Sequence, residues 1–415
     1  MFRRMSIIWL IGLVLGIIPS SRAATSAENL SSRVRIKLGV EVLLEKRLDL
    51  LKGKRVGLIT NPTGVDRNLK TTVDLLWENP QVKLVALFGP EHGIRGDIPA
   101  GQYTKSYLDK KTGLPVFSLY GKTRKPTPEM LKGIDVLVFD IQDIGTRYYT
   151  YIYTMALSME AAKEKGIEFI VLDRPNPIGG TNVEGPVLEK KFKSFIGMYP
   201  IPIVPGMTAG ELAELFNNEF GIGAKLTIVK MEGWKREMFF EETGLAWINP
   251  SPHIPTPLTA RLYPATGFIG ELKVVSNGIG TTRPFEYIGA PWIEADKLAK
   301  ELNRSRLPGV YFRPVHYQPF YGLYARKECN GVQIHILDEQ KFKPVATGIH
   351  IISAIKKLYP GKIKFSGALG SFDKTLGTAK VRLSLQAGKS PEAIIASWQN
   401  DLKKFLTLRR QISSL

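Results

Sequence analysis

The chain has 415 residues, with 57 Lys and Arg against 38 Asp and Glu, for a formal charge of +19. Its lysines are spread along the whole length, with no arginine-rich tract and no aromatic RNA-binding signature, so nucleic acid is not the expected partner. The single cysteine, Cys329, excludes an internal disulfide.

Residues 1–23 have the form of an export signal peptide. Arg3 and Arg4 open it, residues 7–18 are apolar, and Ser21-Arg22-Ala23 resembles a small-x-small cleavage site. The apolar run is well short of the ~20 residues that span a bilayer. No cysteine follows it to carry a lipid anchor. The expectation is a cleaved signal, an exported (periplasmic or extracellular) mature chain and no stable membrane insertion. Losing the signal removes three arginines and no acid, so the mature chain stays strongly basic. With an export signal, such a charge suits an anionic cell wall.

From residue 54 to 230 apolar runs alternate with helical patterns. Residues 55–60, 82–88, 115–119, 136–141, 168–173 and 226–231 are predicted as short buried strands. Helices are expected at 149–165 and 208–220, the second opening on Thr208-Ala209-Gly210-Glu211, a capping box. This alternation predicts an α/β fold over residues 35–245: a Rossmann-like, mainly parallel sheet with helices on both faces. Polar loops at 60–64, 89–96, 142–147 and 173–177 each follow a strand. Open α/β sheets bind ligands outside the carboxyl ends of their strands, so these loops are expected to converge on one cleft.

Beyond Trp247 the pattern changes. Residues 249–256 are rich in proline, and turn signals recur at 276–280. A strand at 332–336 and helices at 345–358 and 391–406 complete a smaller C-terminal α+β domain, residues 246–415.

Glu91 and His92 follow a strand and a Gly-Pro turn. A carboxyl partly desolvated at such a mouth is a candidate general acid. The same glutamate could instead pair with Arg95, and His92 could be a structural histidine. Asp140, Gln142, Asp143 and Arg147 precede Tyr148, Tyr149 and Tyr151. Dense donors, acceptors and flat rings suit a sugar. The competing reading packs Tyr151 and Tyr153 in the core and pairs Asp143 with Arg147 to shape the loop. Asp173, Arg174 and Asn176 are open to the same two readings. The five histidines lack metal-ligand spacing, and neither a Walker loop nor a G-x-S-x-G elbow occurs. No G-x-G-x-x-G follows the first strand, so a dinucleotide is not expected.

Several motifs occur in a fixed order: Asn61-Pro62-Thr63-Gly64, Gly89-Pro90-Glu91-His92-Gly93, the stretch 139–151, Asp173-Arg174-Pro175-Asn176-Pro177, Gly206-Met207-Thr208 and the stretch 280–286. Together they resemble the exo-acting β-N-acetylmuramidase family of NamZ/YbbC-like glycoside hydrolases. The resemblance implies a Rossmann-like domain, a smaller second domain, a cleft between them and no cofactor. It also implies release of terminal N-acetylmuramic acid from peptidoglycan fragments, with Glu91 as general acid. Catalytic candidates are then Glu91, His92 and Asp143. Substrate contacts are expected from Asn61, Asp140, Gln142, Arg147, Tyr148, Tyr149, Asp173, Arg174, Asn176, Glu271, Arg283 and Glu286. The second catalytic role could fall to Asp143, Glu271 or Glu286, or to the substrate's own 2-acetamido group.

The chain departs from the family pattern at Val204 and Pro205, where Arg-His is usual, and at His253, where Asn is usual. Asn277 and Ile279 likewise stand where a Glu and an Arg are usual. These changes leave the exact sugar open. They also support an alternative, a catalytically inactive or altered-specificity muropeptide-binding protein on the same scaffold.

Overall fold

Side chains alternate between the two faces of a strand, so a strand covered on both sides is apolar throughout. In the computed structural model, which describes residues 36–96, 106–365, 367 and 370–413, the central sheet has seven strands, of which Arg55–Thr60, Lys83–Gly89, Val136–Asp140 and Glu168–Leu172 are of this kind. Helix α1 (Gly39–Lys46) precedes β1 (Arg55–Thr60), which α2 (Thr72–Trp77) joins to β2 (Lys83–Gly89). Next come β3 (Tyr107–Leu108), β4 (Pro115–Ser118) and β5 (Val136–Asp140). Then α3 (Tyr151–Lys165) leads to β6 (Glu168–Leu172), and α4 (Ala209–Asn218) to β7 (Lys225–Val229). The order is β3-β4-β2-β1-β5-β6-β7, parallel except for the short β3–β4 pair. This is the expected Rossmann-like layer. The chain builds outward from β1 on one side and from β5 on the other, so the carboxyl ends of these two strands form the switch point where a crevice opens.

Alternation assigns the faces. Val56, Leu58, Val136, Val138, Ile170 and Leu172 cluster with Val40 and Leu43 of α1 and Leu76 of α2. Ile59, Leu137, Phe139, Phe169 and Val171 cluster instead with Ile152 and Met155 of α3 and Phe216 of α4. The predicted capping box opens α4: the Thr208 hydroxyl accepts from the Glu211 N–H at 3.2 Å, and the Glu211 carboxylate accepts from the Thr208 N–H at 2.9 Å.

After the sheet come α5 (Pro257–Gly270), β8 (Tyr287–Ala290), α6 (Ala295–Arg304), β9 (Val310–Tyr317), β10 (Cys329–Ile336) and α7 (Pro344–Leu358). Three short helices, α8 (Ser371–Leu376), α9 (Lys380–Gln386) and α10 (Pro391–Ala396), and the longer α11 (Gln399–Ser413) follow. The strands form an antiparallel sheet, β8-β10-β9. Phe268 of α5, Phe312, Val332 and Ile352 belong to the same apolar cluster as Phe139 and Phe169. One core therefore runs without a break from the central sheet into the second region.

Two differences from the sequence expectation have local causes. The single helix expected at 391–406 is split into α10 and α11, and the break turns Trp398 into the core at 3% exposure. Helix α5 carries Pro257 in its first turn and Pro264 inside it. No element is expected here from the sequence; an interior proline removes one helical hydrogen bond, and burial of Leu262, Ala265, Phe268 and Ile269 holds the helix nonetheless. The export signal lies outside the described residues. Among those residues, no helix is long and apolar enough to cross a membrane.

Arg147 joins distant parts of the chain. Its buried guanidinium donates to the carbonyls of Pro186 (2.7 Å), Ile201 (2.9 Å) and Thr375 (2.8 Å), linking the loop after β5 to α8. Burial lowers its pKa to about 10, which leaves it charged at neutral pH. Arg147→Met should lower unfolding free energy by roughly 3–5 kcal/mol, because three buried carbonyls lose a charged donor. Urea unfolding followed by circular dichroism would measure the loss.

Candidate active site

The loops after β2 and β5 meet a wall built by the second region, and a cavity of about 440 Å³ lies between them. Glu91, His92, Tyr148, Tyr149, Thr150 and Tyr151 line the sheet side. Tyr263, Gly267 and Gly270 of α5 line the other, with Glu271, Ser276, Asn277 and Phe285.

The turn after β2 aims Glu91. The Gly93 N–H donates to the Pro90 carbonyl at 2.9 Å, and His92 adopts a left-handed backbone with φ 71°. That conformation is uncommon for a side-chain-bearing residue, although histidine tolerates it better than most. Arg95 leaves in another direction and pairs with Asp109 at 2.5 Å, so it is not the partner of Glu91. The Glu91 carboxylate accepts from the Thr150 hydroxyl at 2.9 Å. Thr150 occupies the N-cap of α3 but makes no side-chain capping bond; its hydroxyl is directed to Glu91 instead. The Tyr120 hydroxyl also neighbours Glu91, and its pKa is raised by burial first and by that carboxylate second.

The aromatic wall is tightly fitted. The Tyr148 hydroxyl donates to the Tyr263 carbonyl at 3.0 Å, and a Cβ at Gly267 would stand 2.9 Å from the Tyr148 ring. Tyr149 meets Tyr151 and Tyr263 edge-on, with centroids 5.0 and 5.8 Å away. Phe285 is held at φ 64° by its N–H bond to the Asn277 carbonyl at 2.7 Å. For so bulky a residue this backbone is strained, a feature that clusters at functional sites. The charged or titratable side chains that line the cavity among the described residues, apart from tyrosines, are Glu91, His92, His253 and Glu271. Among the described residues, no group of three His, Cys, Asp or Glu could hold a metal ion.

Models of the N- and C-terminal parts of the exo-β-N-acetylmuramidase NamZ family match residues 56–258 and 261–413. The chain belongs to this family. It is a glycoside hydrolase. It is 52% identical over 405 residues to the peptidoglycan β-N-acetylmuramidase NamZ of Bacillus subtilis (strain 168), which covers 97% of each chain. A DUF1343 family protein of Bacteroides fragilis NCTC 9343 superimposes with a TM-score of 0.86 at 49% identity, over 92% of this chain and 99% of that one. A second from the same organism gives 0.73 at 31% identity, over 91% and 98%.

In this NamZ-family chain many of the polar residues singled out in the sequence form a layer behind the cavity rather than its lining. Asp140 pairs with Arg174 (2.5 and 2.8 Å), and Gln142 donates to the carbonyls of Asp143 and Pro175. Asp173 accepts from the Gly210 N–H and the Thr208 hydroxyl, each at 2.8 Å, which anchors the start of α4. Asn176 bonds the Met207 carbonyl and the Ile178 N–H. Asn61 accepts from the Thr63 N–H at 2.9 Å and lies beside the Tyr151 hydroxyl. Arg147 is held by carbonyls, not by Asp143. Arg283 and Glu286 pair at 3.3 Å outside the lining. Of the departures from the family pattern, His253, Asn277 and Ile279 line the cavity, while Val204 and Pro205 do not. Thr150, Ser251, Tyr263 and Ser276 line it without having been singled out in the sequence; only Ser276, in the Ser276-Asn277-Gly278 turn, carried a local signal.

Asp143 is buried, with one oxygen accepting from the Gly145 N–H at 2.7 Å and the other without a partner. Burial raises its pKa to about 7. An unfolded aspartate titrates near ~3.9, so between these values the unfolded chain ionises while the folded one holds its proton, and stability falls as pH rises. Asp143→Asn should therefore gain stability relative to wild type from pH ~4 to ~7, approaching a slope of ~1.4 kcal/mol per pH unit. Urea midpoints across that range would check it; parallel curves would refute the assignment.

Proposed function

We propose that this protein is an exported exo-β-N-acetylmuramidase that releases terminal N-acetylmuramic acid from peptidoglycan fragments, with Glu91 as general acid. The observation that carries this reading is the presentation of Glu91, oriented by Thr150, into a tyrosine-walled cavity whose facing side carries Glu271. The volume of about 440 Å³ falls within the range of small-ligand sites. Aromatic faces would pack on the pyranose, and Glu91 would donate its proton to the glycosidic oxygen as the bond to the anomeric carbon breaks. Glu271 is the better placed second carboxylate, to activate water or to attack. Asp143 lies behind the lining, and Glu286 is engaged by Arg283 and Gln333. Attack by the substrate's 2-acetamido group is the route that needs no second carboxylate. Export rests on the composition of residues 1–23 and fits the basic character of the chain.

Glu91→Gln should lower kcat for release of N-acetylmuramic acid from N-acetylmuramyl-β-1,4-N-acetylglucosamine, whose sugar leaving group needs a proton, by roughly 10²–10⁴-fold with little change in KM. Equal rates in the variant and wild type would remove Glu91 from the acid role. Asn277 and Ile279 in the lining favour the second reading, a muropeptide-binding protein. Calorimetric binding of the disaccharide without turnover by the wild type would establish that instead.

A further inference from the structure

The loop joining β9 to β10, residues 318–328, projects large apolar side chains into solvent beside the cavity mouth. Phe320 is 76% exposed, Tyr321 53% and Leu323 36%, and Leu323 also lines the cavity. Exposed aromatic groups on a floppy loop would carry little meaning, but this loop is tied down. The Phe320 N–H donates to the Gly280 carbonyl at 2.7 Å, and the Arg326 N–H to the Pro319 carbonyl at 2.8 Å. The Tyr324 hydroxyl reaches back to the Val274 carbonyl at 3.0 Å. Tyr324 and Arg326 hold left-handed backbones, φ 62° and 59°. Gly280 permits the close approach, since a Cβ there would sit 2.0 Å from the Tyr321 carbonyl oxygen.

The loop is also coupled to the site. The Tyr321 hydroxyl and His253 Nε2 share a hydrogen bond at 2.8 Å, and their rings lie 5.9 Å apart at 33°. His253 itself lines the cavity. A rigid aromatic shelf therefore continues the cavity wall outward.

We propose that this shelf is the subsite for the sugar on the leaving-group side of the scissile bond, with Tyr321 packing on its ring and His253 acting as a positioning residue for Tyr321. The inference rests on the exo-muramidase reading. If the cavity takes the terminal sugar of an exo-cleaved chain, no sugar precedes it, and a saccharide outside the mouth must be the aglycone. Pyranose faces are apolar and stack on aromatic rings, which gives an exposed tyrosine held in place a reason to be there.

The test compares N-acetylmuramyl-β-1,4-N-acetylglucosamine with methyl β-N-acetylmuramide, whose aglycone is too small to reach the shelf. Released N-acetylmuramic acid is measured for both. Tyr321→Ala should raise KM for the disaccharide by roughly tenfold and leave the methyl glycoside unchanged, which also reports that the variant is folded. Tyr321→Phe should restore the part of the loss that stacking accounts for, and the part left unrestored measures the positioning bond from His253. Equal effects on both substrates, or no effect on the disaccharide, would overturn the shelf while leaving the exo-muramidase reading intact. A wild-type protein that cleaves neither substrate would overturn that reading and the shelf with it.

Discussion

A buried ion pair, Asp140 with Arg174, sets the carboxyl edge of the sheet on which the site is built. Asp140 ends β5 with no exposed surface, and Arg174 is the second residue after β6. The Thr72 hydroxyl donates to the same carboxylate, and the guanidinium also reaches the Val65 carbonyl at 2.8 Å. Segments following β1, β5 and β6 thus meet at one charge pair, at the switch point of the sheet. Desolvating two charges costs several kcal/mol per ion, which only good geometry with further hydrogen bonds offsets. Such a pair contributes fixed position more than net stability. The loop that carries Tyr148 to Tyr151 starts from it, and Thr150 on that loop orients Glu91.

The central sheet was legible in the sequence because its strands are buried on both faces. Residues 55–60 form β1 as expected, the sheet's other expected strands differ at their ends by a residue or two, and the two exposed residues of β3 were not expected. The second region was less legible for a physical reason. In β9, Arg313, Pro314 and His316 interrupt the apolar pattern, and an edge strand tolerates that because one side needs no partner. Helix α5 was hidden by Pro257 and Pro264, whose local cost is outweighed by burial that sequence periodicity does not report.

The site divides in the same way. The Gly-Pro turn before Glu91 and the density of tyrosines pointed to real cavity walls. Direction was the missing information. A polar side chain in a loop looks the same in sequence whether it meets a ligand or a backbone carbonyl, and the carbonyls that capture Arg147 come from residues 186, 201 and 375. Tyr263, Asn277 and Phe285 face Glu91 across the cavity from more than a hundred residues away. No spacing rule spans that distance.

The unbroken core bears on the order in which the molecule is completed. Ile59 and Phe139 share one apolar cluster with Phe268, Phe312 and Ile352. A chain emerging amino end first presents Glu91 early, yet the opposite wall of its cavity arrives only after more than half of the polypeptide has been made. Until then the helices after β5 and β6 cover this apolar face of the sheet only in part, and the carboxylate has no enclosure. The finished site is therefore a late product of synthesis, and a half-made chain has nothing with which to cut.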